Sequence, residues 1–488
     1  MKSRSMVLTG GLTVGSGQVL TQALSFMRNV IIARLISPAD FGIAAMFAMT
    51  FSLLDMISNV SADKLLIQAE DGDAPSLQNT AQLIHFGRGL MNSLIIFALA
   101  FPIAHLFGVP QARWAFECLA LAPLLRGFIH LDTFRLQREM RFRPAVTVDV
   151  GSQILVTVAA LPLAFWLRDY SAMLWVLILQ AASAAIMSHV VAERPYGWTW
   201  DGARARRIFS FGWPLLVNGI LLFIIMDGDR FMIGSAHHLF PRSTLSLADL
   251  GVYSVAFAVT MGPAMLILNV SGPVFFPLLS RTQEFREQFE RRYSACAQFL
   301  CVAAAAAAIP FVLLGGWLVV TIYGAKYAAA SGFIAWLSGM WSLRVVRAAP
   351  TMAALALGDS KNSMYSNIAR TVALAGALTA VAIGAGLVWI AVSGFGGELF
   401  ALLVCLARLR REHGVRASGF VSPFAVYAAS VLTAAAAARG LESVGPVASM
   451  ATAASLVALA CVTMLIAFPK FRSDVGGLVL KSGLTFSR

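Results

Sequence analysis

Apolar runs of about twenty residues follow one another along nearly the whole chain, parted by short polar breaks. Twenty residues is the length of helix that crosses a bilayer. In lipid every backbone polar group needs an internal partner, so runs of this kind fold as helices. Fourteen candidate spans result: 9–33, 40–62, 82–107, 113–134, 145–167, 171–192, 209–235, 249–279, 294–322, 328–356, 366–389, 396–409, 421–440 and 446–468. The twelfth is short and the eighth and tenth are long, so some helices tilt or bend. Pro263, Pro273 and Pro277 argue for a broken or kinked eighth span. The longest breaks, 193–208 and 281–293, leave no room for a soluble catalytic domain. The expected fold class is an all-α integral membrane protein of about 14 transmembrane helices, and no enzyme activity is expected.

The formal charge of +13 raises the question of a nucleic-acid partner. The positions of the charges argue against one, because Lys and Arg gather in alternate breaks as membrane orientation requires. Of the 37, the N-terminus, the even-numbered breaks and the C-terminal tail hold 24, counting Arg408 at the very end of the twelfth span with the break that follows it. Arg34, Arg113, Arg168, Arg242, Lys326 and Arg439 are the six in odd-numbered breaks, and seven lie inside spans. Both termini are expected in the cytoplasm, with the basic breaks lying against anionic lipid. Cys118, Cys296, Cys301, Cys405 and Cys461 sit in or beside apolar runs without metal spacing, and read as small packing residues. No cofactor or metal is expected.

One segment occurs twice. Phe26-Met27-Arg28-Asn29 leads to Ser37-Pro38-Ala39-Asp40-Phe41-Gly42, and Asp227-Gly228-Asp229-Arg230 leads to Ser246-Leu247-Ala248-Asp249-Leu250-Gly251. Serine at an N-cap with an acid three residues on is a capping box, and Pro38 falls at the tolerant N1 position. The two Ser-x-Ala-Asp-x-Gly stretches lie 209 residues apart, each opening the helix after an arginine-bearing span. Spans 1 and 7 start on the same side, so six-helix units 1–6 and 7–12 read as parallel repeats, an arrangement of alternating-access transporters. The domains expected are 1–193, 194–412, and two additional helices with a cytoplasmic tail over 413–488. Glycines at the ends of spans 1 and 8 leave room for bending at a lateral gate, or for close packing.

An arginine at the membrane centre costs about 2.5 to 3.5 kcal/mol even on lenient scales. Arg28, Arg88, Arg126, Arg230, Arg344, Arg347 and Arg370 all lie within spans. Arg88 and Arg370 are near cytoplasmic ends and are expected to snorkel. Arg28 and Arg230 occupy matching places in the two repeats and are expected to face a cavity. Arg126 is mid-span, and Arg344 and Arg347 share one helical face. Such a cationic face attracts an anion, and the guanidinium fork suits phosphate. The competing reading pairs these arginines with Asp55, Asp132, Asp149, Asp227 and Asp229, which they outnumber. Asp132 lies six residues after Arg126, so it is expected to need a cross-helix partner. Asp227-Gly228-Asp229 has the form of a glycosyltransferase metal motif but lies inside a span. One aspartate is expected to pair with Arg230 and the other to bind a proton or Na⁺, with Asp55 a second candidate. Glu398 is read as opening span 12, a structural place for an acid. His237 and His238 read as a solvated loop pair.

The stretch from Arg28 through Arg34-Leu35-Ile36-Ser37-Pro38-Ala39-Asp40-Phe41-Gly42 resembles the first hairpin of Wzx-type oligosaccharide flippases, in the multidrug/oligosaccharidyl-lipid/polysaccharide (MOP) superfamily. Leu136-Gln137-Arg138-Glu139-Met140-Arg141-Phe142, Asp229-Arg230-Phe231-Met232-Ile233-Gly234, Gly251-Val252-Tyr253-Ser254, Phe276-Pro277-Leu278-Leu279-Ser280 and Tyr323-Gly324-Ala325-Lys326-Tyr327 extend it over about the first 330 residues. The resemblance implies a MATE-like fold in the bacterial inner membrane. It implies two halves rocking around a cationic cavity to move an undecaprenyl-diphosphate-linked sugar unit to the periplasmic leaflet. Polymerase and chain-length proteins of the same pathway are the implied partners. A cation-coupled multidrug exporter and a lipid II flippase, both of this superfamily, are the alternatives.

Overall fold

The computed structural model describes residues 2–416, 418–441 and 445–467; the C-terminal tail counted above lies outside them. Among these residues the chain is helical with no strand. It divides into two compact units, 1–255 with 381–385, and 256–380 with 386–488.

The first unit holds α1 (Lys2–Leu35), α2 (Pro38–Ser58), α3 (Ala62–Gln68), α4 (Pro75–Leu106), α5 (Arg113–Leu119), α6 (Leu121–Gly127), α7 (Asp132–Arg138), α8 (Arg143–Leu167), α9 (Ser171–Val191) and α10 (Gly202–Leu239). It also takes the start of α11 (Leu247–Ser280), which runs as one helix through Pro263, Pro273 and Pro277; of the broken or kinked helix expected, the break is not found. The second unit continues with α12 (Arg286–Tyr323), α13 (Ile334–Ala356), α14 (Ser360–Arg370), α15 (Val372–Ala382), α16 (Leu387–His413), α17 (Ser418–Leu441) and α18 (Pro446–Ala467). Among the described residues nine helices are long and apolar enough to cross a membrane, or ten if Pro110–Gly127 and Asp132–Arg138, bent by 46°, form one span. The protein is a multi-pass membrane protein. Large apolar side chains stand outward as lipid requires: Val190 is 78% exposed and Ile466 74%.

Both copies of the repeated segment start helices by the same device. Ser37 is extended (φ −70°, ψ 158°) and its hydroxyl accepts the Asp40 N–H at 3.1 Å. At the second copy, Ser246 donates its N–H to Asp249 at 2.8 Å and accepts the Asp249 N–H at 3.3 Å. The two starts then meet. A Cβ placed on Gly42 would overlap the Leu247 carbonyl oxygen, and one on Gly251 would overlap the Pro38 carbonyl oxygen. Pro38 and Leu247 hold the same place in the two copies, so α2 and α11 cross reciprocally, backbone on backbone. Only glycine permits this approach.

Two expected boundaries move. Span 11 is split into α14 and α15 and ends at Ala382, and the next helix begins at Leu387, well before the expected 396. The glycines beside the expected start are packing residues: a Cβ on Gly394 would come within 2.8 Å of the Met340 sulfur, and one on Gly397 within 2.9 Å of the Arg370 carbonyl oxygen. His237 and His238 belong to the last turn of α10, with the His238 ring 5.0 Å from that of His105.

At the end of α13 the chain turns through Gly358 (φ +82°) into Asp359, which caps α14 by accepting the Asn362 N–H at 3.1 Å. Arg408 of α16 donates to both its carboxylate oxygens, at 3.0 and 3.2 Å. Burial pushes the Asp359 carboxyl up, but the Arg408 and Asn362 hydrogen bonds outweigh it and hold the group below its ordinary range. A depressed folded-state pKa contributes stability above the unfolded value of about 3.9, and that stability is lost as pH falls through the folded value. Asp359→Asn, which keeps the cap, is therefore expected to melt below wild type at pH 7 in detergent. The gap should close below about pH 4. A gap that does not change with pH would assign the stabilisation to something other than this charge.

Candidate functional site

In the second unit α13 carries Arg344 and Arg347 one turn apart, and α14 ends on Arg370. All three reach one carboxylate, Glu398 of α16, which is wholly buried. Arg370 Nε lies 2.7 Å from Glu398 Oε1, Arg347 Nε 3.2 Å from Oε2, and Arg344 Nε 3.9 Å from Oε1. Arg347 also donates to Ser366 Oγ at 3.1 Å and Asn367 Oδ1 at 3.4 Å, and the Arg344 guanidinium lies over the Trp341 ring, 5.1 Å from its centre. Glu398 was expected to open a helix. It sits about three turns into α16 instead, because that helix starts nine residues earlier than its composition indicated. Arg370 was expected to snorkel; it is 5% exposed.

The four side chains together carry a formal charge of +2. Such a cluster is costly to bury unless its charges and hydrogen bonds are matched, and here two of the arginines are among the residues that line a cavity. That cavity, of about 250 Å³, is lined by Arg344, Arg347, Thr351 and Asn367 together with the apolar Leu268 and Met352, among others. Guanidinium forks with hydroxyl and amide groups at one wall suit a phosphate-sized anion.

The first unit arranges its charges differently. Asp55 of α2 receives Arg88 of α4 at 2.9 Å and Arg126 of α6 at 3.6 Å, and Arg126 also stacks over Phe51 at 5.0 Å. Arg88 is thus held inside the unit, not snorkelling, and Asp55 is held between two cations. Arg28 is buried and bonds to Gln180 Oε1 at 2.9 Å and Ser25 Oγ at 3.3 Å. Gln180 bonds onward to Gln153 at 3.2 Å. Among the described residues no carboxylate lies within salt-bridge distance of Arg28. Arg230 pairs with Asp227 and donates to the Met226 carbonyl at 3.2 Å. Asp229 accepts the Tyr253 hydroxyl of α11 at 2.6 Å.

Asp132 differs from its expected place. It begins α7 after the bend, wholly buried, and pairs within its own helix with Arg135 at 2.6 Å. The backbone N–H groups of Glu193 and Arg194 reach it at 2.8 and 3.3 Å. The partner sought on another helix is three residues away, because the bend takes Asp132 out of the helix of Arg126. Of the five arginines expected at a binding site, the structure brings Arg344 and Arg347 together; Arg28, Arg126 and Arg230 each have their own partners. Sequence reasoning missed Arg370, Glu398 and Tyr253 as members of these networks.

Comparison with known proteins agrees with this architecture. The sequence pattern of the family described as "Polysaccharide biosynthesis protein" matches residues 31–332. The succinoglycan biosynthesis transport protein ExoT of Rhizobium meliloti (strain 1021) is 24% identical over 374 residues, 70% of this chain and 72% of that protein. The lipopolysaccharide biosynthesis protein WzxC of Escherichia coli (strain K12) is 19% identical over 332 residues, 67% of this chain and 65% of that protein. Among solved structures, lipid II flippase MurJ in an inward closed conformation superposes with a TM-score of 0.67 at 12% identity, over 94% of this chain and 99% of that one. An inward-facing MATE family transporter of the MOP superfamily gives 0.62 at 14% identity, over 80% and 94%. Those structural likenesses show the fold. The family pattern runs from the end of α1 up to the start of α13 and takes in both capped helix starts, and the chain belongs to the polysaccharide biosynthesis protein family.

Proposed function

We propose that this protein moves a polyprenyl-diphosphate-linked oligosaccharide repeat unit from the cytoplasmic to the periplasmic leaflet of the bacterial inner membrane, for exopolysaccharide, capsule or O-antigen synthesis. The observation that carries the reading is the cluster of Arg344, Arg347 and Arg370 on Glu398, two of whose arginines line a cavity. A diphosphate head group brings the negative charge such a wall recognises, and the names of ExoT and WzxC place those relatives in polysaccharide transport and biosynthesis. A cationic drug would meet repulsion at this wall, which disfavours the multidrug-exporter alternative. A lipid II flippase also handles a diphosphate lipid; the match to the polysaccharide biosynthesis family favours the oligosaccharide unit.

Fourteen spans, two six-helix halves (1–193 and 194–412) with residues 413–488 added, cytoplasmic termini and an alternating-access cycle belong to the same proposal. Arg28, Arg126 and Arg230 are assigned to substrate contact in other stages of that cycle. Asp227 is engaged by Arg230, so Asp229, held by Tyr253, is the carboxylate proposed to take the coupling proton or Na⁺.

The test is binding of defined lipids to the purified protein in detergent. A polyprenyl diphosphate should bind at least tenfold tighter than the monophosphate. A Cβ on Gly272 would meet nothing within 4 Å, so Gly272→Ala should retain binding while Gly272→Leu, which fills the cavity, should lose it. Equal affinity for the two lipids would contradict the proposal.

A further inference from the structure

Glu398 is a costly residue to bury unless its charge is needed. It is wholly inaccessible, lies in an otherwise apolar stretch of α16, and spends each carboxylate oxygen on a different arginine: Oε1 on Arg370 at 2.7 Å and Oε2 on Arg347 at 3.2 Å. Two guanidinium groups gripping two oxygens of one anion is also how a phosphate is held. Arg347 and Arg344 meanwhile line the cavity, so two of the three arginines on Glu398 are within reach of an incoming anion.

We propose that Glu398 is a built-in competitor for the substrate's diphosphate: it occupies the arginines while the cavity is empty, yields them to the substrate, and reclaims them to drive release. This inference rests on the diphosphate reading above and adds to it a residue that sets affinity. The physical reason is the balance a transporter needs. Three guanidiniums without a counter-charge would hold a diphosphate too tightly to let it leave, since each nearby unit charge in a low-dielectric site changes affinity by tenfold or more. A carboxylate among them weakens binding and stabilises the empty state. A merely structural counter-ion makes the opposite forecast: removing it would disorder the arginines and weaken binding.

The experiment measures inorganic pyrophosphate affinity by calorimetry, and turnover in liposomes, for the wild type, Glu398→Gln and the double variant Glu398→Gln/Arg370→Gln. Glu398→Gln should bind pyrophosphate at least tenfold tighter, with a lower KM and a lower kcat for lipid-linked substrate. The double variant removes one charge of each sign, leaves the cluster at the wild-type charge, and carries the test if the single variant fails to fold. It too should bind tighter than wild type, because the competitor is gone. Unchanged or weaker binding in a folded Glu398→Gln or double variant would overturn the inference. Arg347→Ala separates the two levels. If it abolishes binding and transport while removal of Glu398 tightens nothing, the competitor role fails and the diphosphate reading stands. If no form binds pyrophosphate and Arg347→Ala transports normally, both fail.

Discussion

Replacing Arg347 with alanine is expected to slow translocation of lipid-linked oligosaccharide at least a hundredfold, while lowering stability only modestly. A hundredfold corresponds to about 2.7 kcal/mol, within reach of a buried guanidinium that contacts charged and polar partners at once. Arg347 donates to Glu398, Ser366 and Asn367 from a position that is 6% exposed. Its loss leaves Glu398 still paired with Arg370 at 2.7 Å, so the folded state loses about 1.5 to 3 kcal/mol of charged hydrogen bonding, not the full cost of an orphaned buried ion. Arg347→Lys keeps the charge but not the fork, and is expected to recover little. Melting temperature and transport measured on the same preparation separate the two effects. A variant that melts like wild type and transports like wild type would remove Arg347 from the site.

The second large effect is structural. Gly251→Val is expected to destabilise the protein by at least about 1 to 3 kcal/mol, the usual cost of overpacking. The new side chain meets the Pro38 carbonyl oxygen, which is backbone and has no rotamer by which to retreat. Gly42→Val meets the Leu247 carbonyl oxygen in the same way and should behave alike. Gly262 provides the control on the same helix, since a Cβ there meets nothing within 4 Å. Gly262→Val should cost little more than the local helix preference. Equal melting temperatures for Gly251→Val and Gly262→Val in detergent would show that the crossing of α2 and α11 does not hold the fold together.

That crossing shows where sequence reasoning stops. The repeat, its spacing and its capping chemistry are all visible in the residues, because an N-cap is a local device readable from a few positions. That the two copies pack on each other is not visible, because hydropathy marks a lipid-crossing helix without naming its neighbour. The same limit explains Glu398. Gly394, Gly396 and Gly397 look like the end of a helix, and glycine disfavours helix interiors. Here Gly394 and Gly397 accommodate Met340 and the backbone at Arg370, so close packing overrides propensity and carries Glu398 into the interior. In the helix that begins at Leu387, Glu398 is the lone buried acid and the natural partner for the in-span arginines. Arg88 and Arg370 were misjudged for a related reason: depth along a helix says whether an arginine can reach the surface, not whether a carboxylate waits beside it. Arg344 and Arg347, by contrast, were legible as a pair because i,i+3 spacing on a helix brings them together whatever surrounds them.

The most direct measurement of the central claim is leaflet-resolved translocation in liposomes containing only the purified protein. A polyprenyl-diphosphate oligosaccharide supplied on one face should become accessible to an impermeant modifying enzyme on the other, faster than in empty liposomes. The Arg344→Ala/Arg347→Ala double variant should fall to the empty-liposome rate. Translocation by the double variant at the wild-type rate, or extrusion of a cationic dye by the wild type with no lipid translocation, would contradict the account.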